Sequence, residues 1–246
     1  MARGFFDRAE IDNVLSHIKA VFGCYLGRGS TLEDMAIRLF RDDAEAFVSC
    51  CKAAQHILPL YDLFVSEPMT SLLDRVGLRS PNVNTPPLLH FSSPHVSQKA
   101  HHWKVPPHQD WPSNQGSLNG VTVWVPLVDV GADMGPLEVM PGSHLLGSLP
   151  HRLEEVPVLA EREDAVWVSL PMDAGDVVVF SAFLVHRSGV NHSDKIRLSA
   201  ATRYNDLSER SYIDRKYPRP PPLGQRLSND WPTAAQVREL WGVLCG

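Results

Sequence analysis

The sequence predicts an α+β fold in which a helical first 80 residues pack on one face of an antiparallel sandwich or barrel of jelly-roll type. Three observations predict it. Apolar residues recur at helical spacing through the first 80 positions. After Ser80 the texture changes to short β-branched runs. Those runs are bounded by close turns rich in Gly, Pro, Asn and Asp.

The helices are read in order. From Asp7 to about Phe22, the residues Ile11, Val14, Leu15, Ile18, Val21 and Phe22 form an apolar stripe, and Asp7 with Glu10 makes a capping-box pair. Thr31 opens a second helix, TLEDMAIRLFRDD, with acidic residues in its first turn, where the helix dipole favours them. A third runs through AEAFVSCCKAAQHILPLYDLFV and ends or kinks near Pro59. A fourth, MTSLLDRVG, is stopped by Gly77. The strand candidates are GVTVWVPLVDV, LEVMP, AVWVSLPM, DVVVFSAFLVH and IRLSAATRY, with turns at GADMGP, PGSH, DAGD and GVNHSD. PTAAQVRELWG reads as a last short helix. The expected organisation is one domain over 1–246: mainly helical to residue 80, a jelly-roll core over 81–230, and a C-terminal helix over 231–246.

Composition narrows the function classes. Hydrophobic residues make up 43% of the 246 positions, enough to bury a core and to exclude disorder. The net charge of −5 leaves no basic excess for a phosphate backbone, so nucleic acid is not an expected partner. Neither a leader segment nor an apolar run long enough to span a bilayer is expected. The cysteines Cys24, Cys50, Cys51 and Cys245 form no C-x-x-C pair and read as reduced thiols, which points to a cytoplasmic protein.

Seven of the eleven histidines lie between His90 and His151. In an extended strand His108 and Asp110, at i and i+2, point to one face and offer an imidazole and a carboxylate to one point. That is two-thirds of a 2-His-1-carboxylate metal triad, which needs a second histidine at the end of a later strand. His186 closes the run DVVVFSAFLVH and meets that need. His144 lies in a turn, His151 follows Pro150 outside any clear strand pattern, and His192 lies in the turn GVNHSD. Ser188 shares the face of His186. In the next strand Arg197, Ser199, Ala201 and Arg203 share a face, and a guanidinium there suits bidentate binding of a carboxylate.

With these residues in view, the stretch from about Val105 to Asn205 resembles the phytanoyl-CoA dioxygenase (PhyH-like) family. HQD, VWVPLVDV…MGPLEVMPGSH and HRSGVNHSDKIRLSAATRY carry the likeness. The family pattern has an H-x-D, a distal histidine, a serine two residues later and an arginine eleven residues later; here these fall on His108, Asp110, His186, Ser188 and Arg197. The resemblance implies a double-stranded β-helix. It also implies oxidation of a small molecule that uses Fe(II), 2-oxoglutarate and O2 and releases succinate and CO2. It assigns the metal to His108, Asp110 and His186, and 2-oxoglutarate to Arg197, Ser188 and Trp124. Gly135, Pro141, Gly142, Ser143 and His144 match the family's turn. Because halogenases of this type replace the carboxylate ligand by a small residue, Asp110 implies hydroxylation, desaturation or ring closure.

His102, Lys104 and Arg203 are the expected substrate contacts, with His101 beside them, and Lys104, Gln98 and Asn119 are candidates for upstream 2-oxoglutarate contacts. The expected substrate is a small polar metabolite, with a sugar-containing natural product favoured over a long acyl chain. Two other readings compete. A cupin-type metal enzyme would favour H-x-H, which does not occur. A non-catalytic jelly-roll module binding a carbohydrate or other small molecule would not need His108, Asp110, His186 and Arg197 together.

Overall fold

A computed structural model describes residues 1–27, 30–96, 105–153, 157–159, 165–218 and 232–244. Five helices come first: α1 (Arg8–Leu26), α2 (Leu32–Asp42), α3 (Ala44–Ala54), α4 (Leu58–Val65) and α5 (Glu67–Arg75). Asp7 caps α1 and Thr31 caps α2, each through a complete capping box. The expected third helix is two helices. Pro59 lies in the first turn of α4, where its missing N–H costs nothing, so it starts a helix instead of kinking one.

The strands follow: β1 (Pro81–Ser92), β2 (Val121–Pro126), β3 (Leu137–Val139), β4 (His151–Leu153), β5 (Pro157–Leu159), β6 (Val168–Leu170), β7 (Val178–Ser181), β8 (His186–Ser188) and β9 (Arg197–Asp206). The short helix α6 (Trp111–Asn114) lies between β1 and β2; after β9 come the short α7 (Arg210–Asp214) and then α8 (Ala234–Leu244), as expected. The major sheet has the order β1-β9-β2-β7 and the minor sheet β6-β3-β8, with β4 and β5 as a separate hairpin. All the strand pairs are antiparallel. This is the α+β, jelly-roll architecture expected from the sequence. Among the described residues no helix is long and apolar enough to cross a membrane.

Side-chain alternation gives the major sheet two different faces. Val121, Val123, Val125, Leu198, Ala200 and Tyr204 point outward and join the core beneath the helices. Phe22 of α1, Phe47 of α3 and Phe91 of β1 meet with ring centroids 5.7–5.9 Å apart, fastening helices to sheet. Trp124, Val178, Phe180 and Ala201 point inward and meet Leu137 and Val139 of the minor sheet. The inner face therefore carries an apolar floor, and the polar side chains described below stand beside it.

Two expectations about strands are corrected. DVVVFSAFLVH is not one strand: β7 ends at Ser181, a turn follows, and His186 opens β8. The Phe183 N–H bonds to Ser181 Oγ and the Leu184 N–H to the Ser181 carbonyl, which reverses the chain inside an apolar run. His151 belongs to β4, a strand with no alternation long enough to read.

Asp206, at the end of β9, fixes how β1 enters the sheet. Its carboxylate accepts from the N–H groups of Arg79 and Ser80 at 3.1 Å each, from Asn119 Nδ2 at 3.0 Å and from Ser208. Burial pushes this carboxyl up, but those hydrogen bonds outweigh it and hold it below the ordinary carboxylate range. Its contribution to stability is therefore complete above the ordinary carboxylate pKa and is lost as pH falls through and below it. Asp206→Ala leaves these donors without their acceptor and should cost about 2–4 kcal/mol. Urea unfolding at neutral and acid pH checks this, and the gap between wild type and variant should narrow at the acid end.

Candidate metal centre and anion site

His108 and His186 face each other through a reciprocal backbone bridge, each N–H bonding to the other's carbonyl at 3.0 Å. The pairing sets their rings side by side, with centroids 4.1 Å apart. Each imidazole bonds through Nδ1 to the carbonyl two residues before it: His108 to Pro106 at 2.8 Å, His186 to Leu184 at 2.9 Å. A carbonyl only accepts, so Nδ1 carries the proton and Nε2 keeps its lone pair. Burial pushes His108 down to about 3 and lowers His186, so both rings are neutral at neutral pH.

Asp110 completes the cluster. Its Oδ1 lies 3.9 Å from His108 Nε2 and its Oδ2 lies 3.8 Å from His186 Nε2. With both rings neutral these are not ion pairs but three converging donor atoms, all within 4.8 Å of one another. The local backbone differs from the expected strand. Asp110 is already in the helical region, at the N-terminal boundary of α6, because Trp111–Pro112 begins a helical turn and the Trp111 N–H bonds to the Ala182 carbonyl. Its side chain still turns towards the two histidines. Burial alone would raise the Asp110 carboxyl, but the Arg203 guanidinium overrides it and holds the group well below the carboxylate range. Arg203 donates to Oδ1 at 2.8 Å, and the Thr122 hydroxyl donates to Oδ2 at 2.5 Å.

Arg197 is 3% exposed, and among the described residues it has no acidic partner. It donates to the Gly135 carbonyl and, at 3.4 Å, to Ser188 Oγ, while its Nε has no partner. Burial pulls this guanidinium down to about 10, so it remains a cation at neutral pH. A buried cation without a counter-charge is costly, and an anion is the group that relieves it. Ser199, on the same face of β9, also carries a buried hydroxyl with no partner.

Other expected residues are placed as follows. Trp124 lies in the inner apolar cluster with Val178 and Ala201. His144 lies in a 3-10 turn (Ser143–Leu146) and packs edge-on against Trp241 of α8. Asn119 is turned to Asp206, away from the triad. Gln98, His101, His102 and Lys104 lie outside the described residues.

Three side chains near the triad escaped the sequence reading. Thr122 looked like one of several residues of a buried strand. His90 lies on β1 opposite Ser199, and burial with the charges of Arg203 and Arg197 pushes its imidazole down to about 3. Gln109, between the two H-x-D residues, is 1% exposed. Its Nε2 donates to the carbonyls of Gly147 at 2.8 Å and Phe183 at 2.6 Å, and its Oε1 accepts from the Leu149 N–H at 2.8 Å.

Comparison with known proteins bears on family and fold. The family model described as Phytanoyl-CoA dioxygenase (PhyH) matches residues 1–199. The 1-deoxypentalenic acid 11-beta-hydroxylase of Streptomyces exfoliatus is 31% identical over 101 residues, which is 35% of this chain and 36% of that protein. The chain thus matches little more than a third of that curated relative's length. Among solved structures, the epimerase SnoN, in complex with Fe3+, alpha ketoglutarate and nogalamycin RO, is 21% identical with a TM-score of 0.57, covering 95% of this chain and 92% of its own. The non-heme monooxygenase ThoJ gives the same TM-score and identity over 82% of this chain and 71% of its own. These two structures share the fold.

Gln109→Leu keeps the volume but leaves two carbonyls and one N–H buried without partners, and should destabilise the protein by about 2–4 kcal/mol. Gln109→Glu should fall at least as far, because a carboxylate cannot donate to the carbonyls of Gly147 and Phe183. Equilibrium urea unfolding followed by circular dichroism measures both.

Proposed function

The chain belongs to the phytanoyl-CoA dioxygenase family, and we propose that it is an Fe(II)- and 2-oxoglutarate-dependent dioxygenase that oxidises a small polar metabolite, releasing succinate and CO2. The observation that carries this reading is the pairing of two features joined through β9 and β8: Arg203 of β9 bonds Asp110, and Arg197 of β9 bonds Ser188, two residues after His186. One is a buried triad of two neutral imidazoles and one carboxylate. The other is a buried guanidinium with no acidic partner among the described residues.

The donor set fits the metal. Two imidazole nitrogens with free lone pairs and one ionised carboxylate form the set suited to non-haem Fe(II). His108, Asp110 and His186 would hold the ion through Nε2, a carboxylate oxygen and Nε2. Bound there, iron would supply the redox chemistry that side chains lack, the use of O2 and 2-oxoglutarate to oxidise a C–H bond. The protein's own part is orientation. The i−2 carbonyls fix the imidazole tautomers. Arg197 holds the distal carboxylate of 2-oxoglutarate, with Ser188 adding its hydroxyl. The inner apolar residues Trp124, Val178 and Phe180 keep water from the reacting centre.

The proposed substrate is polar, with a sugar-containing natural product the favoured class. His90 and Ser199 give the inner face of β1 and β9 polar groups where a long acyl chain would need an apolar lining. The intact Asp110 favours hydroxylation, desaturation or ring closure over halogenation.

The test is turnover of 2-oxoglutarate. Wild type with Fe(II) and O2 should form succinate slowly without substrate, and His186→Ala should not. Arg197→Ala removes a charged contact worth about 2–5 kcal/mol, so the KM for 2-oxoglutarate should rise by roughly 30-fold or more while metal binding stays nearly intact. Well-folded wild type that yields no succinate under any iron and oxygen condition would leave a non-catalytic small-molecule-binding jelly roll as the better account.

A further inference from the structure

We propose that Thr122 and Arg203 form a carboxylate clamp that fixes the orientation of Asp110 before a metal arrives, which makes them positioning residues for the centre proposed above. The inference rests on that reading of the triad but concerns different side chains. Thr122 of β2 and Arg203 of β9 are directly opposed in the antiparallel register. Opposed residues in such a pair project to the same face of the sheet. Here that face is the inner one, and both side chains end on the same carboxylate: the hydroxyl on Oδ2 at 2.5 Å, the guanidinium on Oδ1 at 2.8 Å.

The arrangement has a physical consequence. Asp110 lies at the start of the four-residue α6, with no strand pairing of its own. Its carboxylate torsion is broad and close to two-fold, so the backbone alone does not settle which way the oxygens face. Two donors on two oxygens do settle it. They come from neighbouring strands in the middle of the major sheet, whose order is β1-β9-β2-β7, so their separation is set by sheet register and not by a loop. With one lone pair of each oxygen committed to a hydrogen bond, Asp110 presents a single fixed edge to His108 and His186.

Partners that orient a metal ligand typically change metal affinity by 10–100-fold when removed. The experiment is titration of metal-free protein with Co(II), following the visible ligand-field bands, for wild type, His186→Ala, Thr122→Val, Arg203→Met and the double variant. Wild type should bind and His186→Ala should not. Thr122→Val, which keeps the shape and removes one donor, should weaken binding roughly 10-fold or more and shift the bands while the protein remains folded, as circular dichroism checks. The double variant should lose less than the two single losses combined, because a carboxylate freed by one change has less orientation left to lose. Folded Thr122→Val that binds Co(II) as tightly as wild type, or more tightly, with the same spectrum overturns the clamp and leaves the triad standing. Wild type that takes up no Co(II) overturns the triad and the clamp together. Should Arg203→Met fail to fold, Thr122→Val alone still decides.

Discussion

The reciprocal backbone bridge between His108 and His186 is the constraint on which the site depends. It places two imidazoles side by side without either residue belonging to a long strand. The segment around His108 is stitched on both sides. The Ser188 N–H bonds to the Val105 carbonyl at 3.0 Å, and the Leu159 N–H bonds to the Pro107 carbonyl at 2.9 Å. The minor sheet is thus continued past β8 by the chain that carries H-x-D. Gln109 fastens the same segment to the 147–149 turn and to Phe183, and Ser143 Oγ accepts from the Val185 N–H at 2.8 Å. Even the turn after β3 is therefore part of the scaffold that aims the histidines.

Charge is arranged around this scaffold with a purpose that burial makes visible. Asp110 and Arg203 neutralise each other, whereas Arg197 is buried with only a carbonyl and a hydroxyl for company. These side chains accordingly carry an excess positive charge before any ligand enters. Neutral histidines add nothing to that excess, since burial has removed their protons. A divalent cation alone would add to that excess, whereas a dianionic cosubstrate offsets it, which is why the triad and Arg197 are most informative when considered as a pair.

Much of this was legible in the sequence, and the exceptions have physical causes. The helix starts were readable because capping boxes are local; α3 and α4 merged because Pro59 was taken as a breaker when it occupies a first turn. β1 was hidden by its prolines: Pro81 is the first residue of the strand, and Pro86 and Pro87 fall in a register shift along the sheet edge. With β1 unread, His90 could not be placed opposite Ser199. His108, Asp110 and His186 were found by residue type and spacing, although Asp110 is helical and His186 opens a strand instead of closing one. Thr122 and Gln109 were not found, because a hydroxyl or amide within a buried run carries no pattern of its own. Their partners come from distant parts of the chain and are brought near only by the fold.

The two arginines of β9 show how register assigns different work to like residues. Arg197 and Arg203 are six residues apart on the same face, about 20 Å along an extended strand. Arg197 begins the strand, beside the turn at Gly135, whose carbonyl it meets. Gly135 has φ of +65°, and a Cβ there would come within 2.7 Å of the Gly189 carbonyl and the Asn191 N–H. That turn can close tightly only around glycine, and its closure is what brings a carbonyl to the guanidinium. Arg203 lies towards the other end, opposite Thr122, where the neighbouring strand supplies a hydroxyl in place of a turn. Exchanging the two environments would give Arg203 no carboxylate and Arg197 a partner that cancels its charge. One strand thus carries a guanidinium without a counter-charge at one end and a guanidinium paired with a carboxylate at the other, and its register keeps both on the inner face.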